Sequence, residues 1–173
     1  MKKISLLTIL ILILALSLCA CSDKSDSNND TGKKDSTQTQ TPEKKDYATL
    51  ADLYTDLGKV VEFSPMFEVT EEYALNLFGI DVSTLDDSVL YLSEDVMSPD
   101  TVIIIKSSNA DTRSEIESLL KDYVDSILVE LEDYNPENYD IVKECEVKTS
   151  GDYVYLIITK NVDDANEFMS NSI

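Results

Sequence analysis

The segment TVIIIKSSNADTRSEIESLLKDYVDSILVELEDYNP, residues 101–136, changes its apolar period halfway along and so decides the fold class. Val102 to Ile105 form an unbroken apolar run, bounded by Thr101 and by Lys106-Ser107, and too short for a helix of ordinary length. It predicts a strand that is apolar on both faces and therefore central in its sheet. Beyond Asn109 the spacing switches to threes and fours. Ile116, Leu119, Leu120, Tyr123, Val124, Ile127, Leu128, Leu131 and Tyr134 then lie on one stripe of a helix running from about Asp111 to Tyr134. Thr112 and Glu115 match the S/T-x-x-E capping pattern, with Asn109 or Asp111 as alternative caps, and Pro136 is read as the stop.

The same two periods alternate on either side of this segment. Leu50, Leu53, Tyr54, Leu57, Val60 and Val61 predict an amphipathic helix over 47–61. A shorter helix follows, with Thr70 as cap, Glu71 and Glu72 at its positive end, and Gly79 as a left-handed terminator. SVLYLS (88–93) reads as a strand joined to 101–107 by a connection containing Pro99. DIVKECEVKT (140–149) and YVYLIIT (153–159) read as a hairpin around Ser150-Gly151-Asp152, and Asn161 as the cap of a last helix. The order α-α-β-β-α-β-β-α predicts an α+β domain of two layers: an antiparallel four-stranded sheet with helices mainly on one face. The other face, near Tyr153 and Tyr155, is then the place for a partner surface.

Upstream lies a different kind of sequence. Lys2 and Lys3 precede the apolar run Ile4–Leu18, which has the charged and apolar regions of an export signal. It falls short of the roughly 20 apolar residues that a membrane span needs. The run ends in LSLCACSDKSDSNND (16–30), where Leu18-Cys19-Ala20-Cys21 resembles the lipobox of bacterial lipoprotein precursors. That resemblance implies cleavage after Ala20 and a diacylglyceryl group on the Cys21 thiol. Cys19 fits badly, because the bulky Leu18 precedes it. Residues 1–20 are therefore expected to be a signal peptide, and 21–46 a lipidated cysteine followed by a polar tether. Ser22 to Asp46 contain no large apolar residue and cannot bury a core. The expected place is the cell membrane, lipid-anchored on its extracytoplasmic face.

The remaining residues, 47–173, have the size of one domain and carry the charge. Of 14 basic and 34 acidic residues, positions 1–46 hold 7 and 6, which leaves 7 against 28 and a net charge of −21. Nucleic acid is excluded as a partner on grounds of sign, and an anionic lipid surface would repel the domain. Membrane contact is thus expected through acylated Cys21 alone.

No catalytic constellation emerges. The chain has no His, so the commonest general base and metal ligand is missing, and its four Gly residues stand too far apart for a phosphate loop. The acidic pairs Asp86-Asp87 and Asp163-Asp164 fall near predicted turns and helix starts, where acids are favoured anyway. No cofactor is expected. Asp133, Asn135, Glu137 and Asp140 are weak metal candidates, with Glu144 twelfth from Asp133, but the Ca2+-loop pattern wants Gly where Asn138 stands. Helix end plus turn is the preferred reading. Cys145, flanked by Glu144 and Glu146, lacks the cationic neighbours of a reactive thiol and is expected as a small buried hydrophobe on a strand. Tyr134, Tyr139 and Tyr153 are the candidates for a partner surface.

YNPENYDIV (134–142), SGDYVYLIIT (150–159) and ALNLFGID (74–81) resemble a family of Gram-positive exported lipoproteins built on domain of unknown function 4358. Tyr134, Pro136, Tyr139, Gly151, Tyr153 and Val154 carry the match. The resemblance implies no activity. Two functions stay open at this point. One is a non-catalytic surface lipoprotein that engages another exported protein or an envelope component. The other is a small-ligand or cation-binding lipoprotein.

Overall fold

The structure is a computed structural model that describes residues 47–173. The expectations for the signal peptide, Cys21 and the tether lie outside the described residues. Within them, five helices and one five-stranded antiparallel sheet form an α+β fold. The elements are α1 (Leu50–Leu57), β1 (Met66–Glu68), α2 (Glu71–Phe78), β2 (Asp87–Ser93), β3 (Thr101–Lys106), α3 (Ala110–Leu131), α4 (Pro136–Glu144), β4 (Lys148–Ser150), β5 (Tyr153–Ile158) and α5 (Val162–Ser172), with a 3-10 turn at Val82–Thr84.

The strand order is β1-β2-β3-β5-β4, with every neighbouring pair antiparallel. As the apolar run required, β3 is central, pairing Ile103 with Leu90 on one side and with Leu156 on the other. The two edges are strands of three residues each, too short to template further pairing.

Both faces of the sheet are covered, which corrects the expectation of two layers. Leu90, Ile103, Ile105, Val154, Leu156 and Ile158 point into one core, capped by α2, α3 and α4 through residues such as Phe78, Leu120 and Val142. Val89, Val102, Ile104, Tyr155 and Ile157 point into a second core, closed by α1 and α5 through Leu53, Leu57, Ala165 and Met169. The physical reason is the alternation of the pleat. In an uninterrupted apolar run, successive side chains leave opposite faces, so each face needs its own helical layer. Among the described residues the buried side chains of both cores lie between Leu50 and Met169, so this segment has the hydrophobic core of a domain that folds as a unit.

Local chemistry sets most of the boundaries. Thr70 accepts a hydrogen bond from the Tyr73 amide, and Gly79 ends α2 at φ 73°, with a Leu119 methyl 3.4 Å from where a Cβ would sit. Asn109, rather than Thr112, caps α3 by accepting from the Asp111 and Thr112 amides. Gly151 turns the β4–β5 hairpin at φ 55°. Asn161 holds the cap position of α5 but makes no side-chain capping bond.

Two elements differ from expectation around Pro136. The residue begins a helix instead of ending the chain's helical run: Asn135 caps α4, its side chain accepting from the Asn138 amide, and Pro136 occupies the first turn, where a missing N–H costs nothing. Residues 136–144 are consequently helical, and the strand expected from Asp140 shrinks to Lys148–Ser150. The other difference is β1, which adds a fifth strand by pairing Met66–Glu68 with Tyr91–Ser93.

Candidate functional site: a groove between two helices and a cleft at the sheet end

The long helix α3 positions the groove. Its 22 residues extend about 33 Å at 1.5 Å per residue, whereas a six-residue strand spans about 20 Å. The helix therefore outruns the sheet beneath it. Only Ile116 and Leu120 are fully buried, and Leu119, Tyr123, Val124, Ile127, Leu128 and Leu131 are half-buried. On one flank the short α2 runs beside α3 and leaves a groove of about 420 Å3. Its apolar lining is Leu77 and Phe78 from α2 with Leu119, Tyr123 and Ile127 from α3. The Phe78 and Tyr123 rings meet edge to face, with centroids 4.7 Å apart, and fix the floor.

A polar row borders this apolar one. Asp122, Ser126 and Glu130 follow each other at four-residue intervals on α3, one position off Leu119, Tyr123 and Ile127. The Ser126 hydroxyl is spent on the Tyr123 carbonyl, 2.7 Å away. Asp122 and Glu130 are exposed, and no basic residue lines the groove. The Tyr123 hydroxyl is pushed above the ordinary phenol range by burial, a hydrogen bond with Thr101 working the other way. Elsewhere on α2, Tyr73 (43% exposed) stacks on Phe67 and Leu75 (53% exposed) points away from the groove, while Leu77 (39% exposed) forms its rim.

A second depression, of about 450 Å3, lies where three connections and helix α4 meet at one end of the sheet. Phe63 and Pro65, Met97 and Pro99, Ile141 of α4 and Lys160 line it. Its walls are tied by hydrogen bonds. The Asp100 carboxylate accepts from the Ser64 amide at 2.7 Å, the Ser64 and Ser93 hydroxyls meet at 2.8 Å, and the Asn138 amide donates to the Met97 carbonyl at 2.7 Å. Among the described residues, Lys160 makes no ion pair, in contrast to Lys59, Arg113 and Lys121.

The residues singled out in the sequence are dispersed. Tyr134 is 77% exposed just past the end of α3, and Tyr139 lies on α4 with the Lys143 ammonium 5.7 Å from its ring centre. Tyr153 packs against the second core, on the opposite side of the sheet, with Lys106 over its ring at 5.5 Å. The three tyrosines therefore do not form one surface, and the face near Tyr155 expected to lie partly open is closed by α1 and α5. Tyr155 itself is buried, which raises its phenol above the usual value.

Asp133, Asn135, Glu137 and Asp140 occupy the α3–α4 turn and α4, where Asn135 serves as the helix cap and Glu144 is the last helical residue rather than part of a strand. Among the described residues no group of three or more His, Cys, Asp and Glu side chains is placed to hold a metal ion. The acidic pair Asp86-Asp87 works on the backbone. Asp86 accepts from the Ser108 amide at 2.6 Å, and Asp87 from the first amide of α1, Leu50, at 2.8 Å.

Cys145 is buried as expected but terminates α4 instead of lying on a strand, its thiol donating to the Ile141 carbonyl at 3.2 Å. Burial pushes that thiol up from its ordinary value, and a hydrogen bond with the Thr159 backbone lowers it in part. Nothing in the local sequence announced the α2–α3 groove, because α2 and α3 are brought side by side only by packing on the same face of the sheet.

Fold and geometry together define a small acidic domain, helices on both faces of an antiparallel sheet, with an apolar groove on one side. The chain belongs to the family described as Domain of unknown function (DUF4358), whose model matches residues 59–159. That span runs from the end of α1 through β5 and so includes α2, α3 and the whole sheet. No curated protein and no solved structure matches the chain. No described helix is long and apolar enough to cross a membrane.

Proposed function

We propose that this chain is an exported lipoprotein of the Gram-positive kind, held on the extracytoplasmic face of the cell membrane by lipid on Cys21, whose domain is a non-catalytic module that binds another exported protein. The observation that carries the anchored half is the register of the N-terminal sequence: Lys2-Lys3, the apolar run Ile4–Leu18, the small Ala20, then Cys21. Two acyl chains on one cysteine hold a protein far more firmly than one, since each buried CH2 adds about 0.8 kcal/mol. The binding half is supported by the apolar groove between α2 and α3, and by the absence of any His or phosphate loop in the sequence.

Metabolic labelling with an alkyne-bearing fatty acid tests the anchor. Label should vanish in Cys21→Ala and persist in Cys19→Ala. Retention of label in Cys21→Ala would dismiss the lipobox reading. A second reading, small-ligand binding, is favoured by one observation, the cleft at the sheet end, where Lys160 makes no ion pair among the described residues and stands with the carboxylates of Glu62 and Asp100 around an apolar lining. A ligand that raises the unfolding temperature of the native chain but not of Lys160→Ala would establish it.

A further inference from the structure

We infer that the groove between α2 and α3 is a docking site for a basic amphipathic helix, an inference that rests on the protein-binding reading above and specifies the partner's chemistry. The groove follows α3 from Leu119 to Glu130, eleven residue steps or about 16 Å, which is three helical turns. An apolar row of Leu119, Tyr123 and Ile127 faces Leu77 across it, long enough to take the i, i+3 or i+4, and i+7 anchors of a helix laid lengthwise. Beside the apolar row stand Asp122 and Glu130, about 12 Å apart along the helix axis.

Charge selects among the candidate occupants. A second copy of this domain would bring a like net charge of −21 against the first, and an anionic membrane would meet the same repulsion. An acidic helix would place its own carboxylates beside Asp122 and Glu130. A helix whose apolar face is flanked by Lys or Arg satisfies both rows: its apolar side chains cover Tyr123, Ile127 and Leu77, and its cations meet the acidic border. Steering by the whole-domain field would speed the encounter and make it salt-dependent.

The test uses the chain from Ser22 to Ile173, which contains every residue of both cores, and a fluorescent 18-residue peptide of Leu and Lys with Leu at helical spacing. A scrambled peptide of the same composition is the control. Binding followed by anisotropy should favour the amphipathic peptide at least tenfold over the scramble and weaken with added salt. The decisive variant is Leu77→Glu, at a position 39% exposed near the end of α2, with a urea midpoint close to the parent's as the check that it folds. It adds a negative charge, so a purely electrostatic contact would strengthen, whereas docking in the groove should weaken at least tenfold. Asp122→Asn with Glu130→Gln should lower affinity and flatten the salt dependence. Equal binding of the scramble, or stronger binding by Leu77→Glu, overturns the inference. So does co-sedimentation of the chain with phosphatidylglycerol vesicles that Leu77→Glu abolishes, because the groove would then belong to lipid. None of these failures touches the anchor or a domain-dependent partner on cells, which separate measurements address.

Discussion

Ile103 and Ile104 are adjacent on β3, and both are completely buried, yet they face different cores. Truncating each to Ala removes the same three carbons from opposite sides of the sheet. If both faces are closed by helices, each variant loses the transfer free energy of those carbons and leaves a cavity, together about 2–5 kcal/mol. Stability for a domain of this size is on the order of 6–19 kcal/mol, taking roughly 0.05–0.15 kcal/mol per residue. Either change therefore removes a large share without abolishing folding in most of that range. At about 2.1 cal/mol/K of unfolding entropy per residue, a loss of about 3 kcal/mol lowers Tm by roughly 11 °C. Urea unfolding of the 22–173 chain followed by circular dichroism measures both, with an unchanged slope showing that the native surface is the same. Comparable losses for the two variants are expected. A loss for Ile104→Ala below about 1 kcal/mol beside a full loss for Ile103→Ala would mean that α1 and α5 do not seal the second face, and would refute the sandwich.

Other consequences are simpler. Asn109→Ala removes two capping bonds from α3 and should cost about 1 kcal/mol, read as a lower urea midpoint; no change would mean the cap is not made. The Cys145 thiol, buried and pushed up, should react with a disulfide reagent far more slowly in the native 22–173 chain than in urea, and equal rates would show it to be open. Burial raises the phenols of Tyr54, Tyr91, Tyr123 and Tyr155. A folded state that holds those protons more tightly than the unfolded chain is fully stabilised below about pH 10 and loses stability as pH climbs past it. Absorbance titration should show these phenols ionising later in the folded chain than in the urea-unfolded one, together with a falling Tm above that pH; a Tm flat through it would contradict the burial of these rings.

Much of the fold was legible in local chemistry. Thr70 and Gly79 bracket α2, Asn109 opens α3, and Gly151 makes the hairpin, each through a bond or a dihedral that a single residue type supplies. The central strands were legible as apolar runs. The second helical layer was implied by the same run, because Val102 and Ile104 cannot face water any more than Ile103 and Ile105 can. Reading hairpins as a one-sided sheet hid it. The α4 helix was missed because Pro136 both ends helices and begins them. Asn135 before it and Glu137 after it mark a start, and the i, i+4 pair Ile141 and Cys145 fits a helix as well as a strand. Three residues of β1 are too few to show any period. The groove could not be read at all, since Leu77 and Ile127 stand 50 positions apart in the chain and meet only through the folded sheet.

Cross-linking on intact cells goes to the centre of the account, which is that residues 47–173 are held at the cell surface to engage a partner. Cells carrying the full chain, the chain ended after Asp46, or the Leu77→Glu chain would be treated with a membrane-impermeant linker, and the captured species identified by mass spectrometry. The account predicts one exported protein with a basic amphipathic segment, captured by the full chain, absent without the domain and diminished by Leu77→Glu. The same species from all three strains, or none beyond the shortened chain's background, would contradict it.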